Sequence, residues 1–453
     1  MSKKLNLLSS VAFVALVASA STTLAQTVTV EGNIVQNANN QNTVTNTGNA
    51  NLGGLLNGIG AQGSVAASGA LAGVTVTTLG TTAPSVTVEG FIQQDATNSQ
   101  RITNKPIVDG INIKTGEVVG DGTSLSATAS GANAVVGVTT VKGESPSPAV
   151  TVEKHIKQTS TNSSSATISN GTMSDPVRIK TTTGGVTGHG ASLGVSASGA
   201  TSAVGYTTIN TTADGSTKVE VKGNIDQTTS NHGHTRNYGQ INVNGDIFGA
   251  GASVSVSATG AASIVGATSI TGASEHGKAP KSIETSHIIQ RTRNDGNANV
   301  INRGTITAHK VTGHGASLSV SASGANSAVV YTSISNKNIA NPSLITESIY
   351  QDTTNTKSVS NTGTINVATI SGAGASASIS ASGATSAIGV TSINDWKTAS
   401  VSTGPISQTT VNTGLVTNSG TITVGSTGVS GTGLSVSIGA SGATAVASVS
   451  YMK

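Results

Sequence analysis

The chain has 453 residues, of which 9% are charged and 2% aromatic, with a formal net charge of +4 and no cysteine. So few charges and rings argue against a nucleic-acid binder, which needs a basic stripe with interleaved aromatics, and against an ordinary globular enzyme. Without cysteine no disulfide staples the fold, and stability has to come from backbone hydrogen bonds and close packing.

In chain order, Lys3 and Lys4 precede an apolar run from Leu5 to Val17, followed by small residues. That layout is expected for a secretory signal peptide over residues 1–25, because the run is short for a spanning helix. Cleavage is expected after Ala25, with Ala20 as the alternative. The protein is therefore expected to be secreted, outside a bacterial cell or on its surface.

The rest of the chain is organised by one phrase, Ile-x-Gln-x-x-x-Asn. It stands at Ile34/Gln36/Asn40, Ile92/Gln94/Asn98, Ile156/Gln158/Asn162, Ile225/Gln227/Asn231, Ile288/Gln290/Asn294, Ile349/Gln351/Asn355 and Ile406/Gln408/Asn412. Successive glutamines lie 57 to 69 residues apart, so the chain reads as an array of repeats of about 60 residues. The expected units are 26–82, 83–145, 146–213, 214–277, 278–339, 340–396 and 397–453. A second phrase, Asn-x-Gly, follows at Asn46, Asn237, Asn302, Asn361 and Asn418, while Asn104 and Asn170 keep only the asparagine. A third, Ser/Thr-Gly-Ala, closes every unit at Gly69, Gly131, Gly199, Gly260, Gly324, Gly383 and Gly442.

Val28-Thr29-Val30 and Val86-Thr87-Val88 alternate apolar with polar residues, the two-residue period of a half-buried strand. The small-residue runs alternate too, with Leu193, Val195 and Ala197 on one side and Ser192, Ser196 and Ser198 on the other. No stretch beyond the leader has helical spacing. Disordered segments are poor in Val, Ile and Thr, which fill this chain despite its 56 glycines. The fold class expected is all-β, a solenoid or stacked β-layer array. Pro84, Pro146, Pro148, Pro280, Pro342 and Pro405 fall shortly before the next Ile-x-Gln phrase, where a residue without an amide donor can sit outside a ladder. Surface loops are expected there, around Lys142–Ser145 and Glu275–Lys278.

Strict recurrence of amides has a physical reason. Stacked layers lie roughly 4.8 Å apart, so a buried Gln or Asn can bond to its counterpart above and below, offsetting the cost of burial. Gly and Ala meet the opposite need, where sheets approach too closely for large side chains. Direct ladders require one broad coil per unit; two or three windings per unit would separate the glutamines. The last unit runs to Lys453 with no polar cap, so both ends are expected to be open to stacking.

Two bacterial extracellular families are similar. Asn361-Thr-Gly-Thr-Ile365 and Asn418-Ser-Gly-Thr-Ile422 resemble the rung phrase of β-helical passengers in autotransporters and filamentous haemagglutinins. Ile-x-Gln-x-x-x-Asn resembles the amide-ladder logic of curlin repeats, which stack into extracellular functional amyloid. Curlin repeats are much shorter and place Gln and Asn differently; an autotransporter would end in a membrane barrel with a terminal aromatic, whereas this chain ends Tyr451-Met452-Lys453.

No catalytic constellation is visible. The histidines are His155, His189, His232, His234, His276, His287, His309 and His314; His189 and His314 share a Thr-Gly-His-Gly-Ala-Ser slot that other units fill differently, which favours loop residues over metal ligands. Trp396 reads as a loop packing residue. Glu31, Glu89 and Glu153 share a slot that becomes Lys222, Thr285, Thr346 and Thr403, so paired carboxylates do not recur. Phosphate-loop, nucleophile-elbow, zincin and calcium-repeat patterns are missing. No enzyme activity, metal, cofactor or nucleic-acid partner is expected. The function expected is a structural subunit that self-assembles head to tail into an extracellular fibre or biofilm matrix, with the cell surface or outer-membrane secretion machinery as further partners. The alternatives are a cell-surface adhesin with a solenoid stalk, and an ice- or surface-binding solenoid suggested by Thr75/Thr77, a pattern that Thr364 and Asn366 break.

Overall fold

The protein is described by a computed structural model, which describes residues 11–18, 27–52, 54–79, 85–105, 113–141, 149–211, 218–273, 282–337, 343–393 and 400–452. Pro84, Pro146, Pro148, Pro280, Pro342, Trp396, His276, both expected cleavage points and the two charged loops lie outside these residues.

Among the described residues there is no helix; every element is a strand, and every pairing is parallel. The chain winds as a β-solenoid of seven coils, one for each Ile-x-Gln phrase. Ile156–Asn162 pairs with Ile92–Asn98 below and Ile225–Asn231 above, glutamine over glutamine and asparagine over asparagine. One coil per repeat is therefore the arrangement, and the alternative of several windings is set aside. Period-two alternation forces this register: sliding by one residue would move every buried side chain to the outside.

Each coil contributes to four sheets. The glutamine sheet carries the Ile-x-Gln strands, preceded by short stretches such as Ala149–Val152. After a corner comes the asparagine sheet, with strands such as His234–Asn237 and Val359–Asn361. A third sheet holds Arg178–Thr181 and Val186–Thr187 with their counterparts. The fourth is made of long strands, among them Ser192–Thr211 and Ser317–Lys337.

The long strand is bent at the glycine of Ser-Gly-Ala. Before the bend, Leu193, Val195, Val254 and Val256 pack on Ile179, Ile241 and Ile306 of the third sheet. Beyond it, Val204, Val265 and Val329 pack on Ile156, Ile225 and Ile288 of the glutamine sheet. The cross-section is thus two thin double layers joined at a vertex, with alanine against isoleucine nearest the bend, as for Ala129 and Ala197 on Ile102 and Ile168. A small-residue vertex lets the layers approach where a Cβ branch would clash.

The turn into each long strand carries a Gly-x-Gly pair in all seven coils. Its second glycine holds φ near +65°, as at Gly190 (64°) and Gly251 (65°), a left-handed conformation that glycine adopts without Cβ strain. His189 and His314 are the middle residues of two of these turns.

Candidate functional site: the stacked amides and the end faces

Seven glutamines form one unbroken ladder. Nε2 of Gln94, Gln158, Gln227, Gln290, Gln351 and Gln408 each donates to Oε1 of the glutamine one coil nearer the N-terminus, at 2.8–2.9 Å. Each Nε2 also donates to a main-chain carbonyl of the long strand, for example Gln158 to Ala203 at 3.0 Å and Gln290 to Ala328 at 3.1 Å. Both amide hydrogens are used, so full burial of Gln94 through Gln351 leaves no donor without a partner. A buried unsatisfied amide would cost about 1–3 kcal/mol each.

The asparagines at the end of the same strands form a second ladder of opposite sense. Nδ2 of Asn40, Asn98, Asn162, Asn231, Asn294 and Asn355 each donates to Oδ1 of the next asparagine toward the C-terminus, at 2.6–2.8 Å. The remaining donor closes the corner: Asn98 reaches Gln100 O at 2.8 Å, and Asn355 reaches Lys357 O at 2.8 Å. These asparagines sit against the vertex glycines. A Cβ on Gly260 would lie 2.3 Å from Asn294 Oδ1 and 2.5 Å from Gly324 O, so the small residue in Ser/Thr-Gly-Ala is required by the asparagine ladder itself.

Asn-x-Gly works differently. Asn237 Nδ2 bridges two coils of the long sheet, donating to Val195 O at 3.0 Å and Ser257 O at 2.8 Å, while its Oδ1 accepts from Gly239 N. Asn302 and Asn361 repeat the staple. The glycine two residues on lies over the long strand, where a Cβ on Gly304 would be 2.0 Å from Val256. Where the Asn-x-Gly pattern is lost, Asn170 of coil three keeps the staple, donating to Ala127 O at 2.9 Å and Ser196 O at 3.1 Å, whereas Asn104 of coil two donates to Val65 O at 3.3 Å and to Asn170 Oδ1 at 3.1 Å.

A third chain of polar contacts has no counterpart among the phrases. Thr229 Oγ1 lies 2.9 Å from both Ser202 and Ser263; Thr292 lies 2.8 Å from Ser263 and Ser327; Thr353 lies 2.8 Å from Ser327 and Ser386. These hydroxyls zigzag between the two facing sheets. The same columns carry Ala38, Ala96, Ala72 and Ala134 in coils one and two, so both partners turn apolar together. Ser and Thr are so frequent in the sequence that only the facing register reveals the zipper.

Between the arms of the long strand lies a cleft of about 630 Å³ lined by repeated Ser, Thr and Ile, such as Ser192, Thr207 and Ile209. Ser198 and Thr201 hydroxyls meet at its inner end at 2.7 Å. Tyr206 and Tyr331, two coils apart, fill the space beside Ala267 with hydroxyls 3.2 Å apart. Burial pushes the Tyr206 hydroxyl well above its ordinary value, and Tyr331 adds to the effect. Burial lowers His234, with Arg236 contributing. On the rim, Lys222 pairs with Glu153 one coil below, and that hydrogen bond raises the lysine. Among the described residues no group of three or more His, Asp or Glu is placed to hold a metal ion.

The two end faces differ from every internal junction. Ile349 and Ile379 are 1% and 0% exposed, whereas Ile406 and Ile438, their counterparts in coil seven, are 42% and 51% exposed. Among the described residues, Gln408 Oε1 has no glutamine above it and Gln36 Nε2 has none below. At the N-terminal end, Val11–Ala18 forms a strand in register with Leu71–Thr78 of the first long strand.

The chain matches no family model, no curated protein and no solved structure.

Proposed function

We propose that this chain is a secreted structural subunit that polymerises into an extracellular fibre by stacking coil on coil. The single observation that carries the reading is the exposure of the coil-seven apolar residues Ile406 and Ile438, whose counterparts in every inner coil are covered by the next rung. Exposed apolar rows on a strand edge of this kind are a template for another chain. A second copy laid on this face would continue both amide ladders at the same spacing. The resemblance to curlin repeats supports the same reading, and the leader-like N-terminus supports an extracellular location.

The test is negative-stain electron microscopy of purified protein at rising concentration. Unbranched filaments one solenoid wide are expected; particles that stay single at every concentration would overturn the reading.

A further inference from the structure

Stacking needs two matching faces to meet and something to keep them apart before assembly. Both are addressed by the strand Val11–Ala18. It pairs in parallel with Leu71–Thr78, Val11 opposite Leu71 and Ala18 opposite Thr78. Following the same columns through the solenoid, Leu71 lies under Asn133, Thr201, Ala262, Asn326, Thr385 and finally Thr444. Thr78 leads in the same way to Tyr451. Residues 11–18 therefore occupy, rung for rung, the position that Thr444–Tyr451 of another copy would take below coil one.

The amide polarity selects the same junction. Glutamine donors all point toward the N-terminal end and asparagine donors toward the C-terminal end. With coil seven of one copy beneath coil one of the next, Gln36 Nε2 faces Gln408 Oε1, and Asn412 Nδ2 faces Asn40 Oδ1. Joining two like faces would set donor against donor in one ladder and acceptor against acceptor in the other, leaving buried amides unpaired.

We infer that the edge of Leu71–Thr78 is the docking place for Thr444–Tyr451 of a second copy, and that residues 11–18 act as a built-in placeholder that blocks this junction until they leave. This rests on the fibre reading above. It adds a direction to the fibre and a step that controls its start.

Two variants of the full chain test it. In A15P/L16P, neighbouring prolines remove donors on both sides of the strand, so whichever amide bonds to Leu71–Thr78 is lost. In A15C/T75C, residues opposite one another carry the only two cysteines of a chain that has none, and oxidation locks the placeholder in position. Assembly is followed by light scattering and microscopy. The expected result is a lag at least tenfold shorter for A15P/L16P than for the parent, and no elongation from oxidised A15C/T75C until a reductant restores it. Equal assembly of the oxidised and reduced forms would overturn the placeholder while leaving the fibre intact. Failure of every form to assemble, reduced and proline variants included, would overturn the fibre reading itself.

Discussion

Gln290 donates its side-chain amide to Gln227 Oε1, one coil nearer the N-terminus, at 2.8 Å. Both residues are fully buried, so this bond cannot be exchanged for one to water. Gln290→Leu removes it and also strips Gln351 Nε2 of its acceptor. We expect a loss of about 2–3 kcal/mol in the urea unfolding free energy. The same change at half-buried Gln408, on the last coil, should cost under about 1 kcal/mol. Equal losses at the two positions would show that the inner ladder has no special weight.

The vertex glycines give a steric prediction. Gly260→Ala drives a methyl group into Asn294 Oδ1 and the Gly324 carbonyl, and neither can retreat without opening the asparagine ladder. A cost of about 3 kcal/mol or more is expected, read as a large fall in thermal midpoint. At Gly389, a methyl group would meet Ser448 only at 3.4 Å, and Gly389→Ala should be close to neutral. A tolerated Gly260→Ala would mean that the vertex is looser than its contacts indicate.

The hydroxyl zipper predicts non-additivity. Thr292→Val deprives Ser263 and Ser327 of one partner each, which should cost about 1 kcal/mol. Replacing all three with alanine recreates the arrangement of coils one and two and should cost less than the sum of the single changes. Chemical denaturation of the single and triple variants measures this directly; strict additivity would show that the hydroxyls act separately.

Stability should fall at both ends of the pH scale. His234 is held below its ordinary value of 6.5, so the unfolded chain binds the proton more readily, and its contribution is lost as pH falls below that value. Tyr206 is held above 10.0; its contribution is intact below pH 10 and is lost as pH rises beyond it, because the unfolded phenol ionises first. His234→Gln should flatten the acid limb of a midpoint-against-pH plot, and Tyr206→Phe the alkaline limb. Limbs unchanged by these substitutions would assign the dependence to other groups.

Much of this architecture was legible in the residues. A fixed Ile-x-Gln-x-x-x-Asn spacing permits direct stacking only if each repeat is one coil, and Gln36 through Gln408 stand in one column. Alternation in Ser192–Ser198 correctly separated buried Leu193 and Val195 from the other face. The bend at Gly199 left a mark that went unread: alternation slips by one residue there, from odd positions such as Leu193 and Val195 to even ones such as Val204 and Tyr206. Gly-x-Gly turns recur in every repeat, yet they are hidden among 56 glycines. Donor direction in the ladders, and the pairing of Val11–Ala18 inside a stretch with every mark of a leader, depend on which strand lies beside which. Composition and spacing carry no record of that.

The central claim is that coil-over-coil stacking continues from one molecule to the next. Fibre diffraction from oriented, assembled protein tests it most directly. Seven coils at the usual strand spacing of about 4.8 Å give a subunit rise of about 34 Å, so a strong meridional reflection near 4.8 Å with layer lines indexing on about 34 Å is expected. A 4.8 Å reflection on the equator, or no axial repeat related to seven coils, would contradict the account.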